Sequence, residues 1–163
     1  MPTKPPALIA DRPWIAPLLA LPPRWFGAIP YALVALVARI ALAQVFWSSA
    51  QTHLSNWDTT LYLFANTYQV PLLSSDAAAT LAVALEVTAP PLLLLGLATR
   101  LAALALFGMT LVIEIFVYPA AWPTHIQWAG LLLLLMAQGA GTLSADALIR
   151  RRLCPDASAP QHE

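Results

Sequence analysis

Five side chains in this sequence have the chemistry to hold a polar ligand or move protons: Arg39, Glu86, Glu114, His53 and His125. Arg39, Glu86 and Glu114 each interrupt a run that is otherwise apolar. A charge near the centre of a bilayer costs about 2.5–3.5 kcal/mol even on a lenient insertion scale, so such groups turn inward and seek partners. The spacing therefore predicts that Arg39 meets Glu86, which falls at a similar depth, and Glu114, which lies nearer the outer face. One guanidinium against two carboxylates leaves a negative charge in excess, which a low-dielectric surrounding penalises. The expected ligand or proton site comprises Arg39, Glu86, Glu114, Gln44 and Trp47. His53, Tyr118, His125 and Gln127 are expected to line its outer mouth. The simpler alternative is an ion pair that only fixes helix register. Imidazoles also bind metals and haem, but His53 and His125 have no cysteine beside them and make an incomplete ligand set, so no metal is assigned.

The elements that position these groups follow from composition. Hydrophobic residues make up 60% of the 163-residue chain and charged residues only 10%. Soluble domains carry about 25% charged residues, and the mean hydropathy here is +0.70. This is the composition of a membrane protein. Apolar runs long enough to cross about 30 Å of hydrocarbon occur at about 31–50, 77–97, 101–117 and 125–138. The fold class predicted is all-α, an integral membrane four-helix bundle. The connection SNWDTTLYLFANTYQVPLLSSD, between the first two runs, carries Trp57, Tyr62, Phe64 and Tyr68 and is expected to lie on the outer membrane surface. Pro90 and Pro91 follow Glu86 and remove the amides that would bond carbonyls near it, which is expected to kink that helix.

Eight prolines between Pro2 and Pro30 forbid a spanning helix there. Residues 1–29 are read as a Pro-rich cytoplasmic arm, 30–148 as the transmembrane domain and 149–163 as a basic cytoplasmic tail. No signal-peptide pattern is seen. Lys4, Arg12 and Arg24 precede the first span, Arg100 lies between the second and third, and Arg150, Arg151 and Arg152 follow the fourth. This asymmetry places both termini inside. Arg39 alone stands outside the pattern.

Arg39, Phe46 and a polar end to the first helix, followed by EVTAPPLLLLGLATRLAAL with Glu86, Gly96, Thr99 and Arg100, resemble the DoxX family of four-helix bacterial membrane proteins over about residues 30–148. Where that family commonly has a glycine and a lysine at the end of the first helix, this chain has Ala50 and His53. The resemblance implies a multi-pass protein of the bacterial inner membrane. Some relatives form the small subunit of a thiosulfate:quinone oxidoreductase, and some accompany soluble redox or sulfur-handling enzymes. FVYPAAWPTHIQW is similar to a subset found with small secreted metal-stress proteins, which implies an envelope-stress role.

The single cysteine, Cys154, excludes an internal disulfide, a CxxC pair and Fe–S spacing. With RRRL before it, it reads as an anchor for anionic lipid. Zero formal net charge gives no reason to expect a nucleic-acid partner. Two function classes remain. In the first, the protein is a redox-linked accessory subunit that takes a quinone headgroup among Trp47, Arg39, Glu86 and Glu114, with electrons from a protein partner. In the second, it is a non-catalytic membrane scaffold or a small-solute transporter.

Overall fold

The computed structural model describes residues 29–153, and these residues are helical with no strand among them. Helix α1 is Tyr31–Ser55, α2 is Trp57–Leu63, α3 is Ser75–Leu95, α4 is Thr99–Val112, α5 is Trp122–Gln138 and α6 is Ala145–Leu153. Three segments are long and apolar enough to cross a membrane: Tyr31–Ser55, Ser75–Leu95 and Thr99–Val117. Helix α5 has 17 residues, about 26 Å of rise.

Four helices close a ring in which α1 packs on α3, α3 on α4, α4 on α5 and α5 on α1. The contacts of Arg39 with Leu93 and of His53 with Glu86 set α1 and α3 antiparallel, and the short 96–98 turn does the same for α3 and α4. Gly96 ends α3 in the left-handed conformation (φ 66°), where an L side chain is strained. Asp146, in the first turn of α6, caps the start of α4 by accepting the Ala98 amide at 2.8 Å and the Thr99 amide at 3.1 Å. Leu42, Phe46, Leu93, Leu106, Leu132 and Leu135 fill the centre, and Ala35, Ala38, Ala89, Ala102 and Ala103 let the helix backbones approach closely.

Two elements differ from the sequence expectation in ways that shape the site. Helix α1 runs five residues beyond 50, which brings His53 into its last turn and onto the buried stripe Leu42, Phe46, Ser49 and His53. The connection after it is partly drawn inward: Trp57 and Tyr62 remain exposed, but Phe64 is buried against Ala78 and Ala79, with Tyr68 packed beside it. Helix α3 continues through Pro90 and Pro91. The N-terminal arm and Cys154 lie outside the described residues.

The bundle has two unlike ends. One carries the 96–98 turn and the 139–144 connection, and Arg39 reaches toward it. The other carries His53, the start of α3 and residues 113–121.

Candidate functional site

Arg39 does not meet either carboxylate. Its Nη1 donates to the Leu93 carbonyl at 3.4 Å and its Nη2 to the Leu143 carbonyl at 2.6 Å. The side chain is fully buried, and its Nε has no partner. Among the described residues, the carboxylates of Glu86 and Glu114 instead meet the imidazoles of His53 and His125. The reason lies in helix geometry. Long side chains lean toward the N-terminus of their own helix, and α1 and α3 run antiparallel. Arg39 and Glu86, though similar in backbone depth, therefore lean apart, Arg39 to one end of the bundle and Glu86 to the other.

Glu86 is nearly fully buried and wholly engaged with α1. Its Oε1 accepts the Ser49 hydroxyl at 2.7 Å, and its Oε2 meets His53 Nδ1 at 2.8 Å. Thr60, at the end of α2's first turn, donates to the His53 carbonyl at 2.8 Å and fastens that part of α1 to α2. On the far side of the ring, Glu114 Oε2 meets His125 Nδ1 at 2.6 Å. Glu114 sits in a π-helical turn, Ile113–Val117, that continues α4, and widened turns of this kind are frequent at functional sites. His125 is held in the first turns of α5, its ring 5.1 Å from that of Trp128.

His53, Glu86 and His125 line one cavity of about 680 Å³, with Glu114 behind His125, within the ordinary range for small-molecule sites. His53 and Glu86 enter from α1 and α3, and His125 from α5; Phe46, Leu85 and Met109 are among the apolar walls. Each histidine spends Nδ1 on a carboxylate, which leaves Nε2 for a ligand. Arg39 does not line the cavity, whose walls run on α3 from Ala78 to Thr88 and on α4 from Ala105 to Val112.

A pair of tyrosines closes the end near His53. A second π-helical turn, Phe64–Tyr68, follows α2. The rings of Tyr68 and Tyr118 meet edge to face at 5.7 Å, and Phe64 links Tyr68 to His53 at 5.0 and 6.0 Å. Burial first, and then the neighbouring Tyr118 phenol, push the Tyr68 hydroxyl up to about 12. Tyr68 thus remains a neutral hydrogen-bond donor through the physiological range.

The DoxX family model matches residues 34–119, more than half of the chain. The chain belongs to the DoxX family. With three apolar helices of spanning length, it is a multi-pass membrane protein. No curated protein and no solved structure matches it. The match begins within α1 and ends before α5, so it includes Arg39, Glu86, His53 and Glu114 but not His125.

Of the residues expected in this DoxX site, the cavity gathers Glu86, His53, Tyr118 and His125, with Glu114 behind His125. It leaves out four others. Arg39 is turned to the opposite end. Gln44 is exposed and donates to Ser48 at 3.2 Å. Trp47 is 42% exposed, facing out from the bundle. Gln127 is exposed and bonds the Pro123 carbonyl at 2.9 Å. Gln44 and Trp47 fall outside the buried stripe of α1, since about 100° per residue separates them from Phe46 and Ser49. No cluster of three or more His, Cys, Asp or Glu with metal-holding geometry occurs among the described residues. Sequence reasoning missed Ser49, Phe64, Tyr68 and Trp128 as site residues. The i, i+3, i+7 spacing of Phe46, Ser49 and His53 was the signal for the first.

Proposed function

We propose that this DoxX protein is a quinone-interacting accessory subunit of a redox or envelope-stress system in the bacterial inner membrane. The observation that carries the reading is the pair of His–Glu contacts, at 2.8 and 2.6 Å, on opposing sides of one largely apolar cavity. Reducing a quinone takes two electrons and two protons, one proton for each ring oxygen. Two imidazole–carboxylate pairs are suited to deliver them, because each carboxylate orients its imidazole and compensates charge on it as a proton passes through Nε2. The apolar walls suit the ring, and Tyr68 or Tyr118 can donate a hydrogen bond to a ring oxygen. Electrons come from a protein partner, since the lone cysteine of this chain offers no Fe–S ligand set.

In this account α5 crosses the membrane as a fourth span and both termini face the cytoplasm, as the placement of Arg100 and Arg150–Arg152 favours. The cavity then opens toward the outer half of the bilayer. Arg39 becomes a structural group that ties α1 to the α3 end and to the 139–144 connection. A non-catalytic scaffold would need no cavity with paired proton carriers. A solute transporter would need a polar path past Phe46 and Leu106, where the core is apolar.

The test is binding of a quinone to the purified full-length protein. Native protein is expected to retain quinone through solubilisation, and Glu86→Gln together with Glu114→Gln to lower affinity about tenfold or more. Native protein that binds no quinone, in detergent and in bilayers alike, overturns the reading.

A further inference from the structure

The cavity is not sealed from the side. Along the seam between α3 and α4, several residues that line it are also exposed on the outer surface of the bundle: Ala84 and Thr88 on α3, and Ala105 on α4. Counting away from the 96–98 turn in both directions puts Thr88 and Ala105 at nearly the same level. Gly108 follows three residues later, and a Cβ added there would meet nothing within 4 Å. Small residues therefore cluster at one level of the seam. Thr88 adds no polar atom to it, because its hydroxyl is spent on the Ala84 carbonyl at 2.8 Å.

Above and below this level the seam is bulky. On the helix faces of Thr88 and Ala105, Leu95 and Leu101 are exposed toward the turn, and Leu81 and Leu111 toward the other end. Since α3 and α4 are spanning helices, the low point between these leucines faces lipid. It leads from hydrocarbon directly to the cavity that holds Glu86 and His53.

We infer that the groove at Ala84, Thr88, Ala105 and Gly108 is a binding site for the hydrocarbon tail of a membrane-dissolved amphiphile, whose polar head lies at the two His–Glu pairs. The inference rests on the proposed headgroup site and adds to it the class of substrate: a long-chain isoprenoid quinone that slides in sideways from the bilayer. A tailless ring of the same chemistry reaches the head site without needing the groove. Apolar small residues fit this use, because a flexible chain gains contact along the groove while no buried polar group is left unpaired.

The experiment compares two probes on full-length protein in lipid nanodiscs: a polyprenyl benzoquinone and the same ring without its tail. Gly108→Phe and Gly108→Trp fill the groove from its one member that does not line the head cavity, at a position where an added Cβ meets nothing within 4 Å. Each is expected to weaken the long-chain quinone about tenfold while changing the tailless ring less than about twofold. Retained binding of the tailless ring also certifies the fold of each variant. Equal effects on both probes, or no effect on either, overturn the groove and leave the head site standing. Native protein that binds neither probe overturns the head site, and this inference with it.

Discussion

Arg39 and Glu86 are predicted to be energetically independent, and a double-mutant cycle measures this directly. Arg39 bonds the carbonyls of Leu93 and Leu143, whereas Glu86 stands seven residues before Leu93 on the same helix, about 10 Å along its axis. Groups so far apart, with no shared partner, combine within about 0.3–0.5 kcal/mol. Arg39→Leu removes two charge-assisted hydrogen bonds, each worth about 1.5–3 kcal/mol, but also removes a buried Nε that has no partner. The net cost is expected near 1–3 kcal/mol. Arg39→Glu turns a carboxylate onto the same carbonyls and is expected to cost about 3–5 kcal/mol. Unfolding of the purified protein in mixed micelles, followed by helical circular dichroism, gives the four corners of the cycle for Arg39→Leu and Glu86→Gln. A coupling energy above about 1 kcal/mol, with Glu86→Gln rescuing Arg39→Leu, would restore the direct ion pair and refute the geometry described here.

Three further outcomes follow from particular contacts. Gly96→Ala is expected to destabilise by more than about 2 kcal/mol, since a left-handed non-glycine costs about 1–2 kcal/mol and the new Cβ would collide with Arg39 Nη1 and the Ser144 side chain; a melting temperature equal to native would contradict this. Asp146→Ala strips the cap from α4 and is expected to cost about 0.5–2 kcal/mol, with amide exchange at Ala98 and Thr99 accelerating; unchanged exchange would show that the cap is dispensable. The Tyr68 proton is held more tightly in the folded protein (about 12) than at the ordinary value of 10.0. Its contribution to stability is therefore complete below about pH 10 and is lost as pH rises toward about 12, so the latest tyrosinate absorbance step should vanish in Tyr68→Phe, and an unchanged titration would count against the buried phenol.

Much of the architecture was legible because lipid imposes simple rules. All four apolar runs fall in helices, and three of these are long and apolar enough to cross a membrane, since length and composition decide where a span can form. The ionisable residues were legible as a set, but their pairing was not. Arg39 was matched to Glu86 by backbone depth, and depth says nothing of the opposite lean of side chains on antiparallel helices. The first apolar run was ended at about 50 because hydropathy fades at QTHL, yet α1 continues to Ser55 under the support of Thr60 and the Asn56 cap, which accepts the Thr59 amide at 2.9 Å. Phe64 and Tyr68 read as interface aromatics for a similar reason: their inward turn depends on a π-helical turn and on contact with Ala78 and Ala79, neither of which leaves a periodic mark in a short segment.

The central claim is that Glu86 and Glu114 take part in proton transfer to one bound quinone, each through its histidine. Redox-induced infrared difference spectroscopy on the protein reconstituted with quinone tests it most directly. The account predicts carboxyl-region changes when the quinone is reduced, one set lost in Glu86→Gln and another in Glu114→Gln. A spectrum in which quinone is reduced without any carboxyl response from either glutamate would contradict it.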